Sequence, residues 1–195
     1  IIAGGILARR DLPSHTAELA EHGIDTIDLV AGNLYPFVQT VSAPGATLED
    51  ALENIDIGGP TMIRSAAKNF PSVIVLVDAS DYGWVSERLI LGRGDPSAIT
   101  HEERRSLDRK AFQHVASYDT AVSHYLADGG SFLSDEITLG FTRQEGLRYG
   151  ENPHQEAVLY ADPLSTGGIV KSRQLHGIEM SFNNYMDADS AWRVV

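Results

Sequence analysis

The residues best suited to chemistry lie in "IDIGGPTMIRSAAKNF", which runs from Ile55 to Phe70. An acid, Asp56, precedes the pair Gly58–Gly59 and then Pro60. Two glycines let a backbone approach a ligand closely, and proline suits the first position of a helix, where its missing N–H costs nothing. The free N–H groups and dipole of such a helix start favour an anion or a polar oxygen. Beyond it, Thr61, Arg64 and Lys68 recur at i, i+3 and i+7 and share a face. Lys68 would sit roughly 12 Å along the axis from Pro60, with a long side chain leaning back toward the helix start. The spacing therefore lets Asp56 and Lys68 approach one pocket. The same pattern is also read as plain helix-start punctuation followed by a solvated basic face.

Two further stretches carry candidates. "AGNLYPF" (31–37) follows a strand pattern and offers Asn33 to an amide or carbonyl edge and Tyr35 as a phenol. Strand ends are where open α/β sheets bind ligands. The alternative is a strand-ending turn with Tyr35 and Phe37 packed beneath it. "LRYGENPHQ" (147–155) gathers Arg148, Tyr149 and His154 beside Gly and Pro. Arg148 suits a phosphate, Tyr149 a base and His154 a proton. The alternative is a polar turn between two strands. The seven histidines show no metal-ligand spacing, and no GxGxxG, Walker A or GxSxG motif is present. "GRGD" (92–95), "GGSF" and "TGG" (166–168) read as turns or loops, and His114, Tyr118 and Asp119 as packing or surface residues of a helix.

The elements that must position these residues follow from periodicity and punctuation. "SHTAELAEHG" (14–23) predicts a helix with Ser14 as N-cap and Gly23 as its stop. "TIDLVA" (26–31) predicts a buried strand. "TLEDALENI" (47–55) predicts a helix with Thr47 and Asp50 at capping-box spacing. Residues 60–70 form the next helix, and "SVIVLVD" (72–78) is a continuous apolar, β-branched strand. Residues 81–91 and 100–127 read as helices. This alternation predicts a parallel sheet with helices on its faces. Near "ADGGSFLSDE" the pattern turns to longer, partly exposed strands, which sets a domain boundary at about 135–142.

Composition narrows the function classes. The 195 residues suit one domain or slightly more, with 43% hydrophobic and 22% charged residues. A net charge of −12 argues against a nucleic-acid or anionic-membrane surface, while leaving room for a locally basic pocket. There is no cysteine, hence no disulfide framework or thiolate site. No apolar run approaches the ~20 residues of a membrane helix. The apolar start at Ile1, without Met, and the uncapped helical pattern at "DADSAWRVV" predict an excerpt of a longer protein.

"GNLYPFVQTV", "ENIDIGGPTMIRSAAKNF", "LRYGENPHQ" and "QLHGIEMSFNNYMDADSAW" occur in this order, and together they resemble the bifunctional purine biosynthesis proteins. That family joins IMP cyclohydrolase to AICAR transformylase. The resemblance implies an α/β, doubly wound, methylglyoxal-synthase-like domain over residues 1–140, N-terminally truncated. The start of a cytidine-deaminase-like α/β transformylase domain would follow over 141–195. It implies formyl transfer from 10-formyltetrahydrofolate to AICAR and dehydrative closure of formyl-AICAR to IMP, with no metal and no bound cofactor. It also implies a homodimer with transformylase sites at the subunit interface, a cytoplasmic location, and no nucleic-acid or membrane partner.

Position by position, Tyr35, Asp56 and Lys68 match the cyclohydrolase site. Gly32, Asn33 and Ile57 match nucleotide contacts, with Gly58 and Arg64 as further substrate contacts. Arg148 and Tyr149 match AICAR contacts, His154 a histidine near that site, and Asn183 or Asn184 a lining residue. A Lys-Thr-Leu-His-Pro stretch, a Gly-rich phosphate loop and a downstream Lys-His pair of the family fall outside this sequence, and Ala3 stands where many members have His. Two other classes stay in view: a non-catalytic nucleotide-binding or assembly module, and a methylglyoxal-synthase-type phosphosugar lyase. "LRYGENPHQ" argues against the lyase.

Overall fold

The computed structural model describes residues 1–127 and 135–195. The chain divides into two compact units, Ile1–Leu126 and Ala127–Val195. The "GGSF" turn and most of "ADGGSFLSDE" lie outside the described residues.

The first unit is organised by one strand. β2 (Ile74–Leu76) pairs in parallel with β1 (Leu29–Ala31), with Val30 opposite Val75. Both strands are shorter than their apolar runs suggest, because pairing covers only three residues of each. The run around β2 is apolar throughout because both of its faces are buried. Val73, Val75 and Val77 enter one core with Ile6, Ile63, Ala66, Ala67, Ala111 and Val115. Ile74 and Leu76 enter another with Val85, Ile99 and Leu107. Period-two alternation thus sorts one strand between two helical layers.

α5 (Gly58–Lys68) and α1 (Ile2–Leu7) supply the first layer, and α6 (Tyr82–Leu91) the second. α7 (His101–Leu126) feeds both through Leu107, Ala111 and Val115, at helical spacing. α1 reads in sequence only as an apolar segment. Asn69, which ends α5, is buried and ties α1 down by donating Nδ2 to Ile6 O (2.8 Å) and Ala8 O (3.0 Å).

The caps partly follow expectation. α4 (Leu48–Glu53) has the Thr47–Asp50 capping box in full. α2 (Pro13–Glu21) starts two residues earlier than a Ser14 cap predicts, so Ser14 lies in its first turn and Leu12 is the N-cap. Gly23, at φ +61°, closes α2: its N–H reaches Ala20 O and the next N–H, of Ile24, reaches Leu19 O. This double bond pattern requires a left-handed residue, which glycine adopts without a Cβ penalty. α3 (Phe37–Val41) is an extra short helix beginning inside "NLYPF".

In the second unit, β3 (Thr142–Leu147) and β4 (Ala157–Ala161) form an antiparallel ribbon with an irregularity between Arg143 and Glu145. α8 (Phe182–Val194) follows, started by a capping box of Ser181 and Asn184. No helix among the described residues is long and apolar enough to cross a membrane.

Candidate active site

β1 ends in Gly32, whose N–H bonds Leu76 O at 3.0 Å and so continues the parallel ladder by one rung. The chain then turns away through Asn33, Leu34 and Tyr35. Buried Phe37 anchors the turn, meeting the Tyr118 and Tyr125 rings edge-on at 6.1 and 5.7 Å between centroids. The start of α5 lies beside it.

Asp56 joins the two. Its Oδ1 accepts from Gly59 N at 2.7 Å, and its Oδ2 accepts from Tyr35 N at 3.3 Å. The first bond satisfies an N–H of the first helical turn from the residue before the N-cap, Ile57, and the second straps the β1 turn to the helix. Pro60 is the third helical residue, not the first, because the helix begins at Gly58. The glycines divide their work. A Cβ on Gly59 would stand 2.5 Å from Asp56 Oδ2 and 2.9 Å from Leu34 Cδ2. A Cβ on Gly58 or Gly32 would meet nothing within 4 Å. Gly59 therefore admits the carboxylate, while Gly32 and Gly58 face open space beside the exposed Asn33, Tyr35 and Ile57.

A residue that reads in sequence as packing completes this shelf. Tyr118 of α7 accepts from Asp56 N at 2.8 Å and donates to Asn54 O at 2.9 Å. Burial pushes its phenol pKa up, so the hydroxyl keeps the proton it donates. The available signal was its place on the buried stripe Arg104, Leu107, Ala111, Val115 of α7, three residues past Val115.

The structure brings together Gly32, Asn33, Tyr35, Asp56, Ile57 and Gly58. Lys68 lies elsewhere. From Gly58 to Lys68 the helix rises about 15 Å, so the two ends of α5 face different surroundings. Lys68 lines a cleft with Arg9, Arg10, Asn69 and Arg104, and neither Tyr35 nor Asp56 is in its walls. Arg64, midway, lies over the Phe112 ring of α7 at 5.7 Å, not at the helix start.

In the second unit, Arg148, Tyr149 and Asn183 meet around the start of α8. Arg148 N bonds Met180 O (3.1 Å), and Phe182 N bonds Tyr149 O (3.0 Å). Asn183 Nδ2 donates to Glu151 O at 3.1 Å. The exposed Arg148 guanidinium lies over the Tyr149 ring, 4.9 Å from its centroid. Asn184 turns its carbonyl onto Ser181 and is held as a cap. Gly150 N and Gln155 O close the intervening loop at 2.8 Å, leaving His154 exposed on it. No group of three or more His, Asp or Glu among the described residues is arranged to hold a metal ion.

With this geometry in place, likeness to known proteins becomes informative. Residues 66–195 match the family described as AICARFT/IMPCHase bienzyme, and residues 3–61 match an MGS-like domain. The chain belongs to the AICARFT/IMPCHase bienzyme family. It is similar to the bifunctional purine biosynthesis protein PurH of Listeria welshimeri, 48% identical over 99% of this chain. It is likewise similar to PurH of Neisseria meningitidis serogroup A, 46% identical over all of it. It spans 38% of the length of each of these relatives. A solved structure titled "Crystal structure of ForH" aligns with a TM-score of 0.56 and 44% identity, over 66% of this chain and 64% of that one. An α/β fold with a parallel sheet is what the MGS-like match and the β1–β2 pairing both give.

Proposed function

We propose that this chain carries part of an IMP cyclohydrolase site in residues 1–140 and the first AICAR contacts of a transformylase site in 141–195. The observation that carries the proposal is the Asp56 bridge between the β1 turn and the α5 start. An ionised carboxylate has about four acceptor positions, and two backbone N–H groups occupy only part of them. Asp56 is left able to accept from the carboxamide N–H₂ of formyl-AICAR, orienting its nitrogen toward the formyl carbon. A C–N bond then forms, the carboxamide nitrogen and the formamido nitrogen each give up one proton, and the former formyl oxygen departs as water. Tyr35 would donate to that oxygen, which is general acid–base work with charge stabilisation. A carboxylate at the shelf also repels a phosphate, so the base end of the substrate belongs there, against the Ile57 and Gly58 backbone. Lys68 enters this reading through the family resemblance, from the far end of α5.

The same reading makes Arg148 and Tyr149 the AICAR clamp, with Asn183 beside them. 10-Formyltetrahydrofolate would be the co-substrate of the complete transformylase, in a cytoplasmic homodimer. The test is conversion of formyl-AICAR to IMP, followed chromatographically, in this chain and in one extended to the relatives' length. Asp56→Asn, which keeps one acceptor but removes the charge, should abolish most of the turnover in the extended chain. Undiminished turnover would remove Asp56 from the reaction.

A second reading has its own support. Both Asp56 oxygens already serve the scaffold, as expected of a non-catalytic nucleotide-binding or assembly module. Saturable IMP binding without turnover in this 195-residue chain would favour that role.

A further inference from the structure

A cleft of about 950 Å³ lies at the opposite end of the sheet from the shelf. Its walls include Pro71 and Ser72, just before β2, and Arg10, which binds Ile27 and Asp28 just before β1. Ligands of open α/β sheets usually sit outside the carboxyl ends of the strands, so this is a separate surface from the shelf. In a chain of net charge −12, four of the 15 Lys and Arg residues line it: Arg9, Arg10, Lys68 and Arg104.

Two of the four are paired, Arg9 with Asp11 and Arg10 with Asp28. Both Asp11 oxygens are held by Arg9, at 3.1 and 2.5 Å. Asp95 turns an oxygen onto Ser97 N at 2.8 Å. Among the described residues, neither Lys68 nor Arg104 has an ion-pair partner. Lys68 by itself is explained by the helix end it occupies, since a cation suits the C-terminus of α5. Arg104 is not explained in that way. It is only 7% exposed, and its Nε and Nη2 donate to the backbone carbonyls of Ile99 and Pro96. Carbonyls fix a guanidinium in place but do not cancel its charge. Burial and then the charge of Arg10 lower its pKa, and Asp28 and Asp95 offset this only in part. A buried cation without a carboxylate in ion-pair contact is costly, and an anion entering the cleft would offset that cost. Ser72 and Ser97 also line the cleft, where the Ser97 hydroxyl and backbone N–H both bond the Asp95 carboxylate.

We infer that this cleft is an anion site that takes a phosphate monoester, with Arg104 as its fixed cation, Lys68 as its mobile one, and the Ser72 hydroxyl as a further donor. Its volume lies within the roughly 300–1,000 Å³ range of small-molecule pockets, which exceeds what a lone phosphate needs and suits a sugar phosphate or nucleoside monophosphate. The inference shares Lys68 with the cyclohydrolase reading but none of the shelf residues, so a failure of that reading at Asp56 leaves it standing.

The test is an NMR titration of the ¹⁵N-labelled 195-residue chain with inorganic phosphate, ribose 5-phosphate and AMP at constant ionic strength. Saturable shifts of the Ser72 and Ser97 amides are expected with all three, tightest for the esters. Asp56→Asn should leave those shifts in place, which separates this site from the shelf. Ser97→Glu, at an exposed position, should weaken the affinity by about tenfold or more through charge repulsion. Arg104→Met should do the same, and if it fails to fold Ser97→Glu decides. Equal shifts in a chloride control, silence at Ser72 and Ser97, or unchanged affinity in Ser97→Glu would each overturn the inference.

Discussion

The two ends of α5 show how differently one helix can be used. At its start, Asp56 gathers backbone N–H groups from Gly59 and Tyr35 while Tyr118 holds its own N–H, so a carboxylate stands on an open shelf. At its end, Asn69 binds α1 carbonyls and Lys68 lines a cleft of cations. The start is a rigid, negatively charged turn network beside open backbone. The end is a positively charged cleft with unused donors. A shared helix face therefore does not make a shared site: about 15 Å of helix outweighs the reach of one lysine.

The strongest challenge to this contrast compares two variants in a chain extended to the relatives' length. Asp56→Asn is expected to lower ring closure of formyl-AICAR by about 10²–10³-fold, the scale of a lost acid–base or charge-stabilising group. Lys68→Ala is expected to lower it by about tenfold or more, and the double variant by the product of the two, because sites more than ~10 Å apart act independently. A double variant no worse than Asp56→Asn alone would show both ends acting on one reacting centre, and the contrast would fail.

Gly59→Ala probes the shelf alone. Its Cβ would collide with the Asp56 carboxylate and Leu34. A loss of about 2–3 kcal/mol in urea unfolding is expected, as for other overpacked sites. Gly58→Ala, at the neighbouring position with open space, should stay within about 1 kcal/mol of wild type. Similar losses in both would mean the close approach is not what Gly59 supplies.

Tyr118→Phe removes one acceptor and one donor at the back of the shelf. Thermal unfolding should report a loss of about 1–2 kcal/mol, as for other partly buried hydrogen bonds, with little change at the Lys68 end.

The smallest effect lies in the second unit, where Tyr185 donates to Glu145 Oε1 at 2.5 Å. Burial, with Glu145 adding to it, pushes the Tyr185 pKa up to about 12. A raised folded pKa gives stability that is complete below the unfolded value of about 10 and lost as pH rises through the folded one. Wild type should therefore lose stability between pH ~10 and ~12, and Tyr185→Phe should flatten that limb. An unchanged alkaline slope in the variant would remove Tyr185 as its source.

Much of the fold is legible in the sequence because local chemistry decides it. The Thr47–Asp50 box and the Gly23 stop concern residues a few positions apart. The run around β2 is apolar at every position because both faces are covered, and that signal survives in any context. The start of α5 lies two residues before the expected Pro60, behind an N-cap residue, Ile57, that has no side-chain oxygen to mark it. Ser14 reads as a cap because Leu12, the residue that fills that role, has no side-chain oxygen to reveal it.

Sequence was enough to set the element types around the site, the four ordered motifs that resemble one family, and the identity of Tyr35, Asp56 and Arg148 as candidates. Packing in three dimensions decided which glycine admits the carboxylate and which faces open space. It brought Tyr118 to Asp56 across 62 residues of chain. It also parted Lys68 from Asp56 and set Lys68 beside Arg104. The physical reason is range. Capping, turns and periodicity act within one or two helical turns, whereas hydrogen bonds and charges act between whatever surfaces the packed cores bring together.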